Sequence, residues 1–183
     1  VSSVREKDLR SALQLSLESE GVTITAEIMP PRGADPSQAM TKAKKLANYV
    51  HAINVTDGSR AVMRMSSLAL CKLLLDEKLD PILQIACRDR NRIALQADLL
   101  GASALGIKNI LCLTGDPVRA GDQPNARQVS DFESVRLLHQ VSAFNKGIDP
   151  VSNHLQDGAT KLFPASASSL LTPNIIWLPF ITP

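Results

Sequence analysis

The chain has 183 residues, with 20 Lys+Arg against 18 Asp+Glu for a net charge of +2, a length that suits one domain or part of a larger one. Hydrophobic residues make up 44% and charged residues 21%, which excludes a disordered chain, and the near-neutral balance leaves no electrostatic footprint for nucleic acid or an acidic membrane. Aromatics at 3% argue against stacking platforms for single-stranded nucleic acid. Apolar runs such as 110–114 fall far short of the ~20 residues of a membrane span. No basic-then-apolar leader opens the chain, so a cytoplasmic protein is expected. Cys71, Cys87 and Cys112 lack C-x-x-C spacing, so buried reduced thiols are expected rather than a disulfide framework or a metal site.

Short β-branched or apolar runs alternate with segments of helical period. The first run is 22–28. Asp35-Pro36-Ser37 then signals a helix start, with Pro36 tolerated in the first turn, and Met40, Ala43, Ala47 and Val50 fall on one face. The second run, 52–56, is followed by a stripe of Ala61, Met65, Leu68, Cys71 and Leu75. The third, 82–87, is followed by Ile93, Ala97, Leu100 and Ala104, ended by Gly106 in the place of a left-handed cap. After the fourth run, 109–114, Ser130-Asp131-Phe132-Glu133 has capping-box spacing and is expected to open a helix with Phe132, Val135 and Leu138 inward. Residues 145–158 read as a loop, 160–163 as a candidate fifth strand, and 166–183 carry no period that assigns them.

The run starts lie 30, 30 and 27 residues apart, the length of one strand plus one covering helix. Repeated βα units build either an open doubly wound sheet or a (β/α)8 barrel, and both place function at the strand carboxyl ends. No Gly-x-Gly-x-x-Gly follows the first run, which disfavours a dinucleotide-type open sheet. A closed barrel needs about 250 residues. The expectation is therefore a (β/α)8 TIM-barrel type of fold with about five βα units: residues 1–165 as the N-terminal part of the barrel and 166–183 as an unassigned tail. A half-barrel of this kind should expose inward-facing apolar residues of strands such as 110–113 and should not be a well-behaved monomer.

Polar residues collect where the runs end. Glu27 is a lone carboxylate in an apolar run, just before Pro30-Pro31. Burial would raise its pKa and suit it to general acid work near neutral pH, whereas a structural pair with Arg32 is the plainer alternative. Asp57 and Ser59 either bind a ligand or cap the next helix. Arg88, Asp89 and Arg90 read as a solvated helix start, and Cys87, without a base beside it, as packing. Gly115 permits close backbone approach, and Asp116 can accept two hydrogen bonds from an amino-pyrimidine edge, although Gly-Asp-Pro is also good turn chemistry.

Together these segments resemble the methylenetetrahydrofolate reductase family. Glu27-Ile28-Met29-Pro30-Pro31-Arg32 is similar to its first-strand signature and Val55-Thr56-Asp57-Gly58 to its second. Cys87-Arg88-Asp89-Arg90-Asn91, Leu100-Gly101-Ala102 and Leu105-Gly106-Ile107 resemble its third unit, and Leu113-Thr114-Gly115-Asp116 its fourth. The likeness covers about residues 23–131, more faintly to 165. It implies a (β/α)8 barrel holding a flavin, FAD or FMN, at the strand ends. It implies reduction of methylenetetrahydrofolate to methyltetrahydrofolate, with NAD(P)H or another electron donor as co-substrate. On the same resemblance Glu27 is the general acid, and Asp116 lies by the flavin and holds the pterin. Thr56, Asp57, Ser59, Gln84, Thr114, Gly115 and Val129 match flavin-contact positions, with Gln84 standing where some members have His. The family's later Thr-Gln motif and its phosphate-side basic residues are not found after Asp131. The expected partners are folate and a second copy or another subunit, with no nucleic acid, no membrane and no metal. Two rivals remain: a flavin-free tetrahydrofolate-dependent methyl-transfer barrel, and a non-catalytic half-barrel completed by a partner.

Overall fold

The computed structural model describes residues 10–156, 158–166 and 175–178. Six strands form one sheet: β1 (Thr23–Ile28), β2 (Ala52–Val55), β3 (Pro81–Ala86), β4 (Asn109–Leu113), β5 (Phe163–Ser166) and β6 (Ile175–Leu178). A short helix, α1 (Ala12–Leu17), precedes them, and α2 (Ser37–Leu46), α3 (Ser67–Asp76), α4 (Arg92–Ala104) and α5 (Ser134–Phe144) follow β1 to β4 in turn.

The strand order is β5-β4-β3-β2-β1-β6, and every neighbouring pair is parallel. From β1 to β5 each strand is added beside the last, always in the same direction. Right-handed crossovers then place the helices on one face. That is the winding of a (β/α)8 barrel, since a doubly wound sheet reverses direction and is covered on both faces. β6 lies in the stretch the sequence leaves unassigned. It pairs with β1 from Thr23↔Ile175 to Ala26↔Leu178, the flank that a barrel's last strand occupies. β5 begins at Phe163 rather than residue 160, because Asn145 Oδ1 accepts hydrogen bonds from Thr160 Oγ1 at 2.7 Å and Leu162 N at 3.0 Å and holds that approach outside the ladder.

Strand alternation sorts side chains to two faces. Ile53, Val55, Leu83, Ile85, Ile110 and Cys112 pack with Leu70, Leu74, Leu95, Leu99, Leu137 and Phe144 of the helices in the main core. The opposite parity carries Thr25, Glu27, Ala52, Asn54, Ile82, Gln84 and Leu111. There Ala52, Ile82 and Leu111 are packed against Leu13 of α1. Ile110 thus points to the helices and is buried, and its inward neighbour Leu111 is covered by α1, so that strand does not bare the apolar surface expected of it. α1 is fixed at the strand amino ends: Leu13 N donates to Asp80 Oδ2 at 2.8 Å, and Ser11 Oγ donates to Asn109 Oδ1 at 2.5 Å. One end of the inner face is closed by this helix, which leaves the carboxyl end for the site.

Three helix expectations change. In α4 the buried positions are Leu95, Leu99 and Ala102, and the expected stripe is the outer one, with Ile93 73% exposed. The β3 end fixes where the helix starts: Asn91 accepts from Ala94 N at 3.0 Å, so phase is set by the cap rather than by the wider apolar spacing. Gly106 does take the left-handed cap, at φ +83, with Gly106 N on Ser103 O and Ile107 N on Ala102 O in a Schellman arrangement. The expected capping box at 130–133 does not form: α5 starts at Ser134, its cap Glu133 makes no side-chain bond, and Val135 lies outward. In α3 the helix opens only at Ser67, so Ala61 and Met65 belong to the preceding loop.

Candidate active site at the carboxyl ends of the strands

Glu27, next to last in β1, faces the inner side, as do Asn54 of β2 and Gln84 of β3. Gln84 Nε2 donates to Glu27 Oε2 at 3.2 Å, and Asn54 Nδ2 donates to the same oxygen at 3.4 Å. Burial pushes the Glu27 carboxyl above its ordinary value, and the Gln84 hydrogen bond opposes part of that rise. Arg32 is not its partner. Arg32 Nη2 meets Asp122 Oδ2 at 2.6 Å, and Asp122 Oδ1 also accepts from Met63 N at 3.0 Å, which ties together the loops after β1, β2 and β4.

Above Glu27 lies a cavity of about 440 Å³ whose lining includes Glu27, Thr56, Asp57, Ser59, Gln84, Arg88, Thr114, Gly115 and Asp116. The structure thus gathers every expected site residue but one around a single space. The exception, Val129, lines an adjoining cavity of about 440 Å³ that shares Arg88, Thr114 and Gly115. Val129 is held there by its N–H on Arg88 O at 2.8 Å.

Their side chains are not equally available. Asp57 accepts from Ala86 N at 2.9 Å and from Arg90 Nη1 and Nη2 at 2.5 and 3.2 Å, so its carboxylate braces β3 rather than capping a helix. Asp116 Oδ2 accepts from Arg60 N at 2.8 Å. That bond steadies a turn in which Arg60 and Ala61, neither a glycine, have φ of 60 and 54, a conformation worth roughly 1–3 kcal/mol of strain. Thr114 Oγ1 accepts from Ser134 N at 3.2 Å and so seats the start of α5. Thr56 Oγ1 is buried and has no hydrogen-bond partner among the described residues, which leaves it available to a ligand.

Arg88 and Arg90 overturn the expectation of a solvated helix start. Arg88 is 7% exposed, and its Nη2 donates to Asp57 O at 3.3 Å. It crosses between two glycines of positive φ. A Cβ on Gly58 would stand 2.4 Å from Arg88 Nη2, and one on Gly115 would stand 3.1 Å from Ala86 Cβ and 3.2 Å from Arg88 Nη1. Residue type and spacing put Arg88 in a helix entry and give Asn54 no role of its own. Strand parity was the available signal for Asn54, two positions before Thr56. Cys87 and Cys112 are buried, with thiols pushed up to about 11 and about 12, chiefly by burial, which suits packing.

A singly wound parallel sheet with helices on one face and a polar, acid-bearing cavity at its carboxyl ends defines a barrel-type α/β enzyme scaffold. The family model described as methylenetetrahydrofolate reductase matches residues 12–157, and the chain belongs to that TIM-barrel family of folate-linked reductases. No curated protein matches the chain. Among the described residues no helix is long and apolar enough to cross a membrane, and no group of three or more His, Cys, Asp or Glu is arranged to hold a metal.

Proposed function

We propose that this chain carries the flavin- and folate-binding half of a methylenetetrahydrofolate reductase, within residues 1–165, and serves the reduction of 5,10-methylenetetrahydrofolate to 5-methyltetrahydrofolate in the cytoplasm. The observation that carries this reading is the meeting of Glu27, Gln84, Arg88, Gly115 and Asp116 around one cavity at the strand carboxyl ends. The fit to a flavin rests on Gly115, a positive-φ glycine that puts bare backbone in the cavity wall beside Ala86 and Arg88, and on the unpartnered Thr56 hydroxyl. Thr56, Ser59, Gln84, Thr114 and Gly115 would hold FAD or FMN, with Val129 and Arg88 extending toward the adjoining cavity. When bound, the flavin supplies a hydride, replenished by NAD(P)H or another donor.

The chain's own part is proton control and orientation. Glu27, kept protonated to higher pH by burial, gives its proton to a folate nitrogen as the methylene bridge opens. Asp116 offers its second carboxylate oxygen to the pterin N–H edge. Asp57 and Arg90 keep the β2 and β3 ends in register around these groups.

The test has two arms on the purified 183-residue chain. Addition of FAD should quench flavin fluorescence saturably, and folate reduction with a chemically reduced flavin should be measurable and depend on Glu27. Absence of flavin binding, together with methyl transfer from a folate, would favour the flavin-free barrel instead. Activity restored only by a second chain would favour the subunit reading.

A further inference from the structure

The two carboxylate oxygens of Glu27 are treated differently. Both amide donors, Gln84 Nε2 at 3.2 Å and Asn54 Nδ2 at 3.4 Å, fall on Oε2, and no hydrogen bond falls on Oε1 among the described residues. Asn54 stands directly beside Glu27 in the β1–β2 register. It is 0% exposed and does not line the cavity. Its Oδ1 is buried with no hydrogen-bond partner among the described residues. A strand buried on both faces is ordinarily Val-, Ile- or Leu-rich, and a buried amide with an unmet carbonyl is unfavourable there. The side-chain contact that gives the amide a use is the one with Glu27.

We infer that Asn54 is a positioning residue which, with Gln84, fixes the Glu27 carboxyl so that its acidic proton resides on Oε1. This rests on the proposed role of Glu27 as general acid. An oxygen already receiving two N–H groups is a poor seat for a proton, because hydrogen would face hydrogen. The carboxyl torsion is otherwise broad and two-fold, so without the donors the two oxygens would exchange places. In the acid step the Oε1–H bond breaks, the proton passes to the folate nitrogen, and the electron pair stays on Oε1. The carboxylate so formed keeps both donors on Oε2. Asn54 touches neither substrate nor flavin; it acts through Glu27. The charged groups that share the cavity are Asp57, Arg88 and Asp116, and each is engaged elsewhere: Asp57 by Arg90, Arg88 by Asp57 O, Asp116 by Arg60 N.

Nuclear magnetic resonance of the ligand-free 183-residue chain tests this. The side-chain amide resonances of Asn54 and Gln84 should titrate with the midpoint of the Glu27 carboxyl carbon, and that response should vanish in Glu27→Gln. In Asn54→Leu, and equally in Asn54→Ser whose hydroxyl is too short to reach, the Glu27 midpoint should rise by about half a pH unit. An Asn54 amide that ignores the Glu27 titration in the unmodified protein overturns the positioning role, even where Glu27→Gln abolishes turnover. Full turnover in Glu27→Gln overturns the acid role and the purpose of positioning with it, even where the titration is seen.

Discussion

Glu27 is half-buried beside two amides, and its protonated form survives to higher pH than that of an exposed glutamate. Replacing it with Gln keeps the size and the neutral charge of the acid form but removes the proton. Folate reduction should fall by roughly 10²–10⁴-fold, the range of general acid–base catalysis, with flavin binding retained. In the unmodified chain, kcat/KM should decline as pH rises through the raised Glu27 value, and Glu27→Gln should erase that limb. Gly115 has φ +89 and leaves 3.1 Å between a would-be Cβ and Ala86 Cβ. Gly115→Ala should therefore cost about 1–3 kcal/mol, read as a lower denaturant midpoint, and should weaken flavin binding by narrowing the cavity. At this scale the sequence exposes polar residues where a run stops, which is why Glu27 and Asp116 could be singled out, while Thr56 and Gln84 came from the family resemblance. It does not expose partners: that Asp57 serves Arg90, or that Arg32 serves Asp122, depends on loops brought together from different units.

Between elements, the Asp57–Arg90 clamp joins the loop after β2 to the end of the β3–α4 loop, and Asp98 of α4 lies 3.1 Å from Arg90 Nε. Arg90→Met would leave Asp57 buried without its cation, at a cost of roughly 3 kcal/mol. Chemical unfolding should show the loss, and adding Asp57→Asn should recover part of it. At the opposite end Asp80 secures α1, and burial holds its carboxyl above the ordinary 3.8 despite the Leu13 N–H and Asn109 bonds. Because the folded-state value is raised, the fold favours the protonated form, and that stability is fully present below 3.8 and lost as pH rises through the folded value. Glu27 and Asp98 are displaced in the same direction, each chiefly by burial. The melting temperature should therefore rise as pH is lowered from neutral through these raised values, and Asp80→Asn should flatten part of that rise. A melting temperature that only falls over this window would contradict the burial of these carboxyls.

For the whole molecule, β5 and β6 are the outer strands of the sheet order, each with a single strand neighbour among those described. Unpaired edges seek strands, and a (β/α)8 sheet closes only with eight. The 183-residue chain should accordingly self-associate or bind a further segment or subunit at micromolar concentration. Sedimentation velocity is the direct measurement, and a sharp monomer with a cooperative melt and no apolar-dye binding would count against this architecture. α1 moderates the effect by covering Leu111 and Ile82, so the strand edges without a second neighbour among the described residues, rather than a bare inner face, are the expected cause of association.

The sequence by itself determined the βα repeat, the strand positions to within a few residues, the polar strand ends and the family motifs, because each depends on neighbours close along the chain. Periodicity, turn chemistry and capping glycines such as Gly106 are local. The repeat spacing alone also fits a doubly wound sheet; the family motifs pointed to a barrel, and the strand order in the tertiary structure bears that winding out. The tertiary structure alone showed which face of α4 is inward, because apolar residues lie on both faces and the Asn91 cap sets the phase. It alone placed α1 beneath the barrel and β6 beside β1. Asn54 next to Glu27 belongs to the same class: the pair is separated by a whole βα unit, and only parallel register brings amide and acid onto one face.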